Sequence, residues 1–140
     1  MNISKFTQKS VQAVQDLEKV AYEYGNQEIE QEHLLYTLLT QEDSLILKLI
    51  EKMEINKEYF LNTVKNALDA KVKVSGGELR FGQYLNKALV NAEDEAKAMG
   101  DEYVSVEHLF LALLKYPSPS MKKIWSEFGI TKERFLQALS

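Results

Sequence analysis

Cysteine is absent from the 140 residues, tryptophan occurs once and proline twice. Without cysteine there is no disulfide framework, no thiol nucleophile and no thiolate metal site, a usage that fits a reducing compartment. Long apolar runs are missing too. The longest, such as Leu109 to Leu114, fall far short of the ~20 residues that span a bilayer, and Met1-Asn2-Ile3-Ser4-Lys5 has no apolar signal core. A cytoplasmic protein with no membrane partner is therefore expected. Nor is there an excess of positive charge: 17 Lys and Arg stand against 21 Asp and Glu, a net charge of -4. No basic field draws in phosphate backbones, so nucleic acid is not an expected partner.

What is present is an ordinary globular composition, 45% hydrophobic and 27% charged, in a length that suits one compact domain. Such a chain can bury enough surface to fold without a metal. No Gly-x-x-x-x-Gly-Lys-[Ser/Thr] loop occurs, and Ser75-Gly76-Gly77 lacks the Lys and hydroxyl that hold phosphate and magnesium. These residues are expected neither to bind nor to hydrolyse ATP, and no cofactor is expected on them.

The chain repeats itself. At an offset of 75 residues, Phe6 to Lys65 aligns without a gap on Phe81 to Ser140, with 17 identities in 60 positions. Phe6/Phe81, Ala21/Ala96, Gly25/Gly100, Glu32/Glu107, His33/His108, Leu38/Leu113, Phe60/Phe135 and Leu61/Leu136 are among them. Most other exchanges keep chemical type, as in Ile29/Val104 and Leu49/Ile124. Charge does not repeat: residues 1–70 carry 7 basic and 12 acidic groups, residues 71–140 carry 10 and 9. The same inward face is specified twice while the outer faces differ.

Each copy reads as four helices. The first carries Phe6, Ser10, Ala13, Val14, Leu17, Ala21 and Tyr24, or Phe81, Leu85, Ala88, Leu89, Ala92, Ala96 and Met99, at three- and four-residue spacings. Gly25 and Gly100 close it. The second is short and apolar, Glu32 to Leu39 and Glu107 to Leu114, with Ser105 a candidate N-cap and each Glu in the first turn. The third is expected to start at Asp43 in copy one and at Ser118-Pro119 in copy two, where Ser caps and Pro takes the first helical position. Asn56 and Thr131 are N-cap candidates for the fourth. Between copies, residues 70–80 lose the helical period and hold the only Gly-Gly pair. A strand at Val72 and Val74 has no visible partner, so an extended connection is expected. The expected architecture is all-α: two four-helix repeats about a pseudo-twofold axis, about eight helices, with repeat one at 1–70, a linker at 71–80 and repeat two at 81–140.

This doubled motif resembles the Clp N-terminal domain of ATP-driven chaperones and unfoldases, over essentially the whole chain. The resemblance is carried by Asn2-Ile3-Ser4-Lys5-Phe6-Thr7, by Gly25-Asn26-Gln27-Glu28-Ile29-Glu30-Gln31-Glu32-His33-Leu34-Leu35, and by Leu85-Asn86-Lys87 leading to Asp101-Glu102-Tyr103-Val104-Ser105-Val106-Glu107-His108-Leu109. The second and third stretches look most like the ClpB disaggregase branch rather than the protease-linked ClpA or ClpC. The resemblance implies a recognition domain, monomeric in isolation, that binds exposed hydrophobic segments of unfolded or aggregated proteins. It further implies delivery of these clients to a hexameric ATPase ring, whose modules would hold ATP and Mg and are not in this chain. The alternative is an adaptor- or phosphoarginine-binding domain of the ClpC/ClpA type.

Four candidate residues follow. The resemblance marks Thr7, Asp101 and Glu107 for handling aggregated substrates, and Glu32 and Glu107 for anchoring cationic groups. Their plainer readings are an N-cap, a turn residue after Gly100, and first-turn charges that stabilise their helices. A hydroxyl and carboxylates beside an apolar groove could fix the backbone of an extended peptide. Tyr22, Tyr24, Tyr36, Tyr84, Met99, Tyr103 and Tyr116 are candidates to line such a groove. His33 and His108, each after a Glu, could suggest a metal pair. Neighbouring Glu and His point about 100° apart on a helix, however, so a structural role at a helix end is expected and no metal site.

Overall fold

The computed structural model describes residues 2–140; Met1, the first residue of the N-terminal stretch read above, lies outside them. A 3-10 turn at Ile3–Lys5 leads into α1 (Gln8–Gln15), α2 (Leu17–Glu23), α3 (Gln31–Leu39), α4 (Leu45–Lys52) and α5 (Lys57–Asp69). Copy two supplies α6 (Gln83–Ala98), α7 (Val106–Lys115), α8 (Pro119–Phe128) and α9 (Lys132–Leu139). Segments α1 and α2 are one helix interrupted at Asp16, so the described residues hold eight helices in two sets of four.

The interruption corrects the expectation of an unbroken first helix in copy one. The Asp16 amide is shared between the carbonyls of Gln12 and Val14, and its carboxylate accepts a hydrogen bond from the Gln12 side chain at 2.9 Å. That side-chain pair spans i to i+4 and supports the helix, so the interruption lies in the backbone, where the Asp16 amide turns partly to the nearer Val14 carbonyl. The third helix also starts later than expected, at Leu45. Ser44 is its cap, with Oγ accepting from the Leu47 amide, while Asp43 takes a left-handed φ of 57°. The other caps stand where the residues placed them: Asn56, Ser118 and Thr131 all accept a first-turn amide.

The extended connection at residues 70–80 is also corrected at its end. Arg80–Phe81 forms a strand, β2, which pairs in parallel with Glu28–Ile29, β1. Val72 and Val74 are not part of it, although the Val74 amide donates to the Gly25 carbonyl at 2.8 Å. The pseudo-twofold mate of this ladder is a parallel bridge between Phe6 and Val104. Each repeat therefore threads the segment before its first helix against the segment before the other repeat's second helix. That exchange ties the repeats together and sets α1 beside α7.

A single apolar core results. Its buried cluster takes Leu17, Leu34, Leu38, Ile50 and Phe60 from copy one and Leu85, Leu109, Phe110, Trp125 and Phe135 from copy two. Helices α3 and α7 lie at its centre, buried on nearly every side. Across the far end of the interface, Arg134 donates to the Met53 carbonyl at 2.6 Å and Lys52 to the Ala138 carbonyl at 2.7 Å.

Candidate functional site between the repeats

The two histidines explain how the site is held. In each copy the amide of the residue capping the second helix, Glu30 or Ser105, donates to Nδ1 of the His three residues on, at 2.8 Å. Histidine thus takes the place that Glu or Gln has in the usual capping box. A backbone donor at Nδ1 puts the imidazole proton on Nε2. From there it bonds Asn26 Oδ1 at 3.0 Å in copy one and Asp101 Oδ2 at 2.8 Å in copy two. Each His therefore locks the turn after Gly25 or Gly100 onto the start of the next helix, the structural role expected of it. Burial, and next the Lys71 charge, lower the His33 pKa to about 4. Among the described residues no group of three or more His, Cys, Asp and Glu could hold a metal.

Thr7 caps α1. Its Oγ1 accepts from the Ser10 amide at 3.3 Å, and its own amide donates to the Val104 carbonyl at 3.0 Å. Ser10 is buried and donates its hydroxyl to that carbonyl at 2.7 Å. This stitching brings the start of α1 against the start of α7, and a cleft of about 450 Å³ opens beside it. Thr7, Lys9, Asp43 and Leu45 from copy one and Val106 and Glu107 from copy two line it. The structure therefore brings Thr7 and Glu107 together across the repeat boundary.

The cleft has an apolar floor and charged edges. Leu45 is 39% exposed, and Val106 closes the other side. Lys9 Nζ is engaged by the Glu42 carbonyl at 2.6 Å and Asp43 by Lys48 at 2.6 Å. Glu107 has no cation within ion-pairing distance among the described residues. A half-buried carboxylate at the first turn of a helix, next to apolar side chains, is suited to a peptide amide or a cationic side chain.

Asp101 and Glu32 lie elsewhere. Asp101 is exposed in the turn after α6, bonded to His108, and is not part of the cleft wall. Glu32 is 1% exposed. Its Oε2 accepts from the Ser120 hydroxyl, and Oε1 lies 3.3 Å from Lys71 Nζ without a well-directed hydrogen bond. It is an internal ion pair, out of reach of any ligand in this conformation. Neither the tyrosines nor Met99 line the cleft. Lys9, Asp43, Leu45 and Val106 line the cleft without having been candidates, and of these Leu45 carries a signal in the sequence: it stands just outside the inward stripe of Ile46, Leu49 and Ile50, an apolar side chain the core does not use.

A further cleft of about 380 Å³ is lined by Glu28, Glu30, Lys71 and Arg80 among others. Its charges satisfy one another, Lys71 with Glu30 at 3.2 Å and Arg80 with Glu28 at 3.4 Å. It is a neutralised surface rather than a receptive one.

Comparison with known proteins agrees with the doubled architecture. The family described as "Clp repeat (R) N-terminal domain" matches residues 5–128. The chain belongs to this family. It is 38% identical over 99% of its length to a protein named "Chaperone protein ClpB" from Nitratidesulfovibrio vulgaris, and spans 17% of that relative. The Hsp104 N-terminal domain of Candida albicans has the same fold, with a TM-score of 0.82 at 22% identity, covering 97% of this chain and 90% of that one. A ClpV N-domain solved in complex with a VipB peptide superposes with a TM-score of 0.73 at 19% identity, covering 97% and 89%. No helix of the described residues is long and apolar enough to cross a membrane.

Proposed function

We propose that this Clp N-domain recognises extended, partly apolar segments of unfolded or aggregated proteins in the cleft between its repeats. It would hand them to the cytoplasmic ATPase ring of a ClpB-type disaggregase. The observation that carries the reading is the cleft of about 450 Å³, in which Leu45, an exposed apolar side chain, lies beside buried Val106 and between Thr7 and Glu107. The ClpB relatives support the chaperone context, and the ClpV N-domain that binds a peptide on the same fold supports a peptide as ligand. ATP and Mg belong to the ring in this reading, and the domain contributes only capture. Capture would be weak, since one open cleft with a few apolar contacts buries far less than a stable interface. The adaptor- or phosphoarginine-binding alternative draws less support, because Glu32 is enclosed by Lys71 and Ser120.

Two variants test the reading. Leu45 occupies the first position of α4, where an acidic residue suits the helix dipole, so Leu45→Asp is expected to fold while placing a charge on the cleft floor. Titrated with a reduced, carboxymethylated polypeptide and followed by amide chemical shifts, it is expected to lose roughly tenfold in affinity. Glu107→Gln is expected to lose roughly threefold. Wild-type affinity in both would remove the cleft from client binding.

A further inference from the structure

The 75-residue offset that relates the repeats also relates the two sides of their interface. The cleft residues Thr7, Lys9 and Asp43 map onto Gly82, Tyr84 and Ser118, and Val106 and Glu107 map onto Gln31 and Glu32. All of these equivalents except Glu32 meet in a second cavity, lined by Gly82, Tyr84, Ser118, Glu30 and Gln31 among others, at the pseudo-twofold mate of the open cleft. Its volume is about 20 Å³ against about 450 Å³. The domain is built with two grooves and one of them is shut.

Of the positions that differ between the two grooves, Gln31 is the one whose side chain crosses the closed groove. Its counterpart Val106 presents only methyl groups to the open cleft. The Gln31 side chain is 0% exposed and spans the second groove: Nε2 donates to the Tyr84 carbonyl at 3.0 Å and to the Tyr116 carbonyl at 2.8 Å, and Oε1 accepts from the Ser118 amide at 2.9 Å. Both amide protons are used, and the three partners lie at the start of α6, the end of α7 and the cap of α8. A buried primary amide satisfied on three sides holds three elements together, and opening the groove gives up all three bonds at once. Beside it Ser120 bonds Glu32, a second tie from α8 to α3. The corresponding residue in the open cleft is Leu45, which makes no such bond.

We propose that Gln31 is a latch that holds the second of two symmetry-related grooves shut, so that the domain takes one extended peptide segment instead of two. The peptide part rests on the reading of the open cleft given above; the closure itself does not.

Amide hydrogen exchange tests the closure without any ligand. In the wild-type domain the Ser118 amide is expected to exchange roughly tenfold or more slowly than that of Asp43, its counterpart in the open cleft. Gln31→Val, which installs the residue that the other repeat uses, is expected to abolish that protection with the circular dichroism unchanged. The probe for occupancy is a synthetic peptide of alternating leucine and serine, followed by amide chemical shifts. It should perturb Thr7, Val106 and Glu107 in both proteins, and Gly82 and Ser118 only in the variant. Wild-type perturbation at Gly82 and Ser118, a Ser118 amide no better protected than Asp43, or an exchange-competent variant still occupied at one groove would each overturn the latch. If the peptide perturbs neither groove, client binding at the open cleft fails, while the exchange contrast between Ser118 and Asp43 still decides whether Gln31 closes the other. If Gln31→Val does not fold, that wild-type contrast decides the closure alone.

Discussion

His33 shows what a single buried side chain contributes in this fold. Its ring is fully enclosed, accepts the Glu30 amide at Nδ1 and donates to Asn26 from Nε2, an arrangement that requires the neutral form. Burial and the neighbouring Lys71 hold its pKa down at about 4, against 6.5 when free. Because the folded value is the lower one, the unfolded chain takes up the proton first. The contribution of His33 is complete above pH 6.5 and is lost as pH falls towards 4, in total on the order of 3 kcal/mol. Urea denaturation at intervals between pH 7 and 4 is expected to show this loss, and the His33 Cε1 proton should titrate near pH 4. Titration of His33 near 6.5 in the folded domain would contradict the arrangement. Asn26→Asp would place a carboxylate on Nε2, as Asp101 is placed on His108, and is expected to raise the His33 pKa and flatten the acid loss. The pair of histidines was visible in the sequence as structural. Their acceptor role was not, because a capping-box pattern is recognised by Glu or Gln three residues after the cap.

At the scale of the elements, helix boundaries were legible wherever a side chain could name its own cap. Ser118 with Pro119, Asn56 and Thr131 stand as read, whereas Asp43 and Ser44 compete and the structure gives the cap to Ser44. The strands were not legible, since two residues carry no alternation and their partners lie some fifty residues away. The same limit governed the candidate site: Thr7 and Glu107 meet only because Phe6 pairs with Val104, a long-range contact that no local pattern encodes. Gly100 offers a clean test of the elements' punctuation. Its φ is +75° and a Cβ there would meet nothing within 4 Å, so Gly100→Ala isolates the backbone cost of the left-handed turn. The loss is expected to be about 1 kcal/mol, with Gly100→Asn losing less. Equilibrium denaturation should show a lower midpoint and an unchanged slope. An Ala variant as stable as wild type would mean that the turn relaxes to another conformation.

For the molecule as a whole, the duplication visible in the sequence invites the idea of two separable units, and the packing argues against it. Phe110 of α7 stacks on Phe135 with ring centroids 4.4 Å apart and meets Trp125 edge-on at 5.2 Å, so repeat two has an aromatic centre of its own. That centre is continuous with Leu34, Leu38, Ile46 and Ile50 from repeat one, and α4 packs directly on α7 and α9. Severing the repeats would expose this shared surface. It would also strip Phe6 of Val104, Ile29 of Phe81 and the Met53 carbonyl of Arg134. Each half would keep four helices but lose the partner that buries their inner faces, and short helices draw their stability from such burial rather than from propensity. The intact domain is therefore expected to unfold in one step, with calorimetric and van't Hoff enthalpies equal. Fragments 1–79 and 80–140 should each show weak helicity and no sigmoidal melt, and should regain a cooperative transition when mixed if their shared core is enough to reunite them. A sharp transition in either fragment alone would mean that the repeats are independent folding units and that the cleft between them is a hinge rather than a fixed groove.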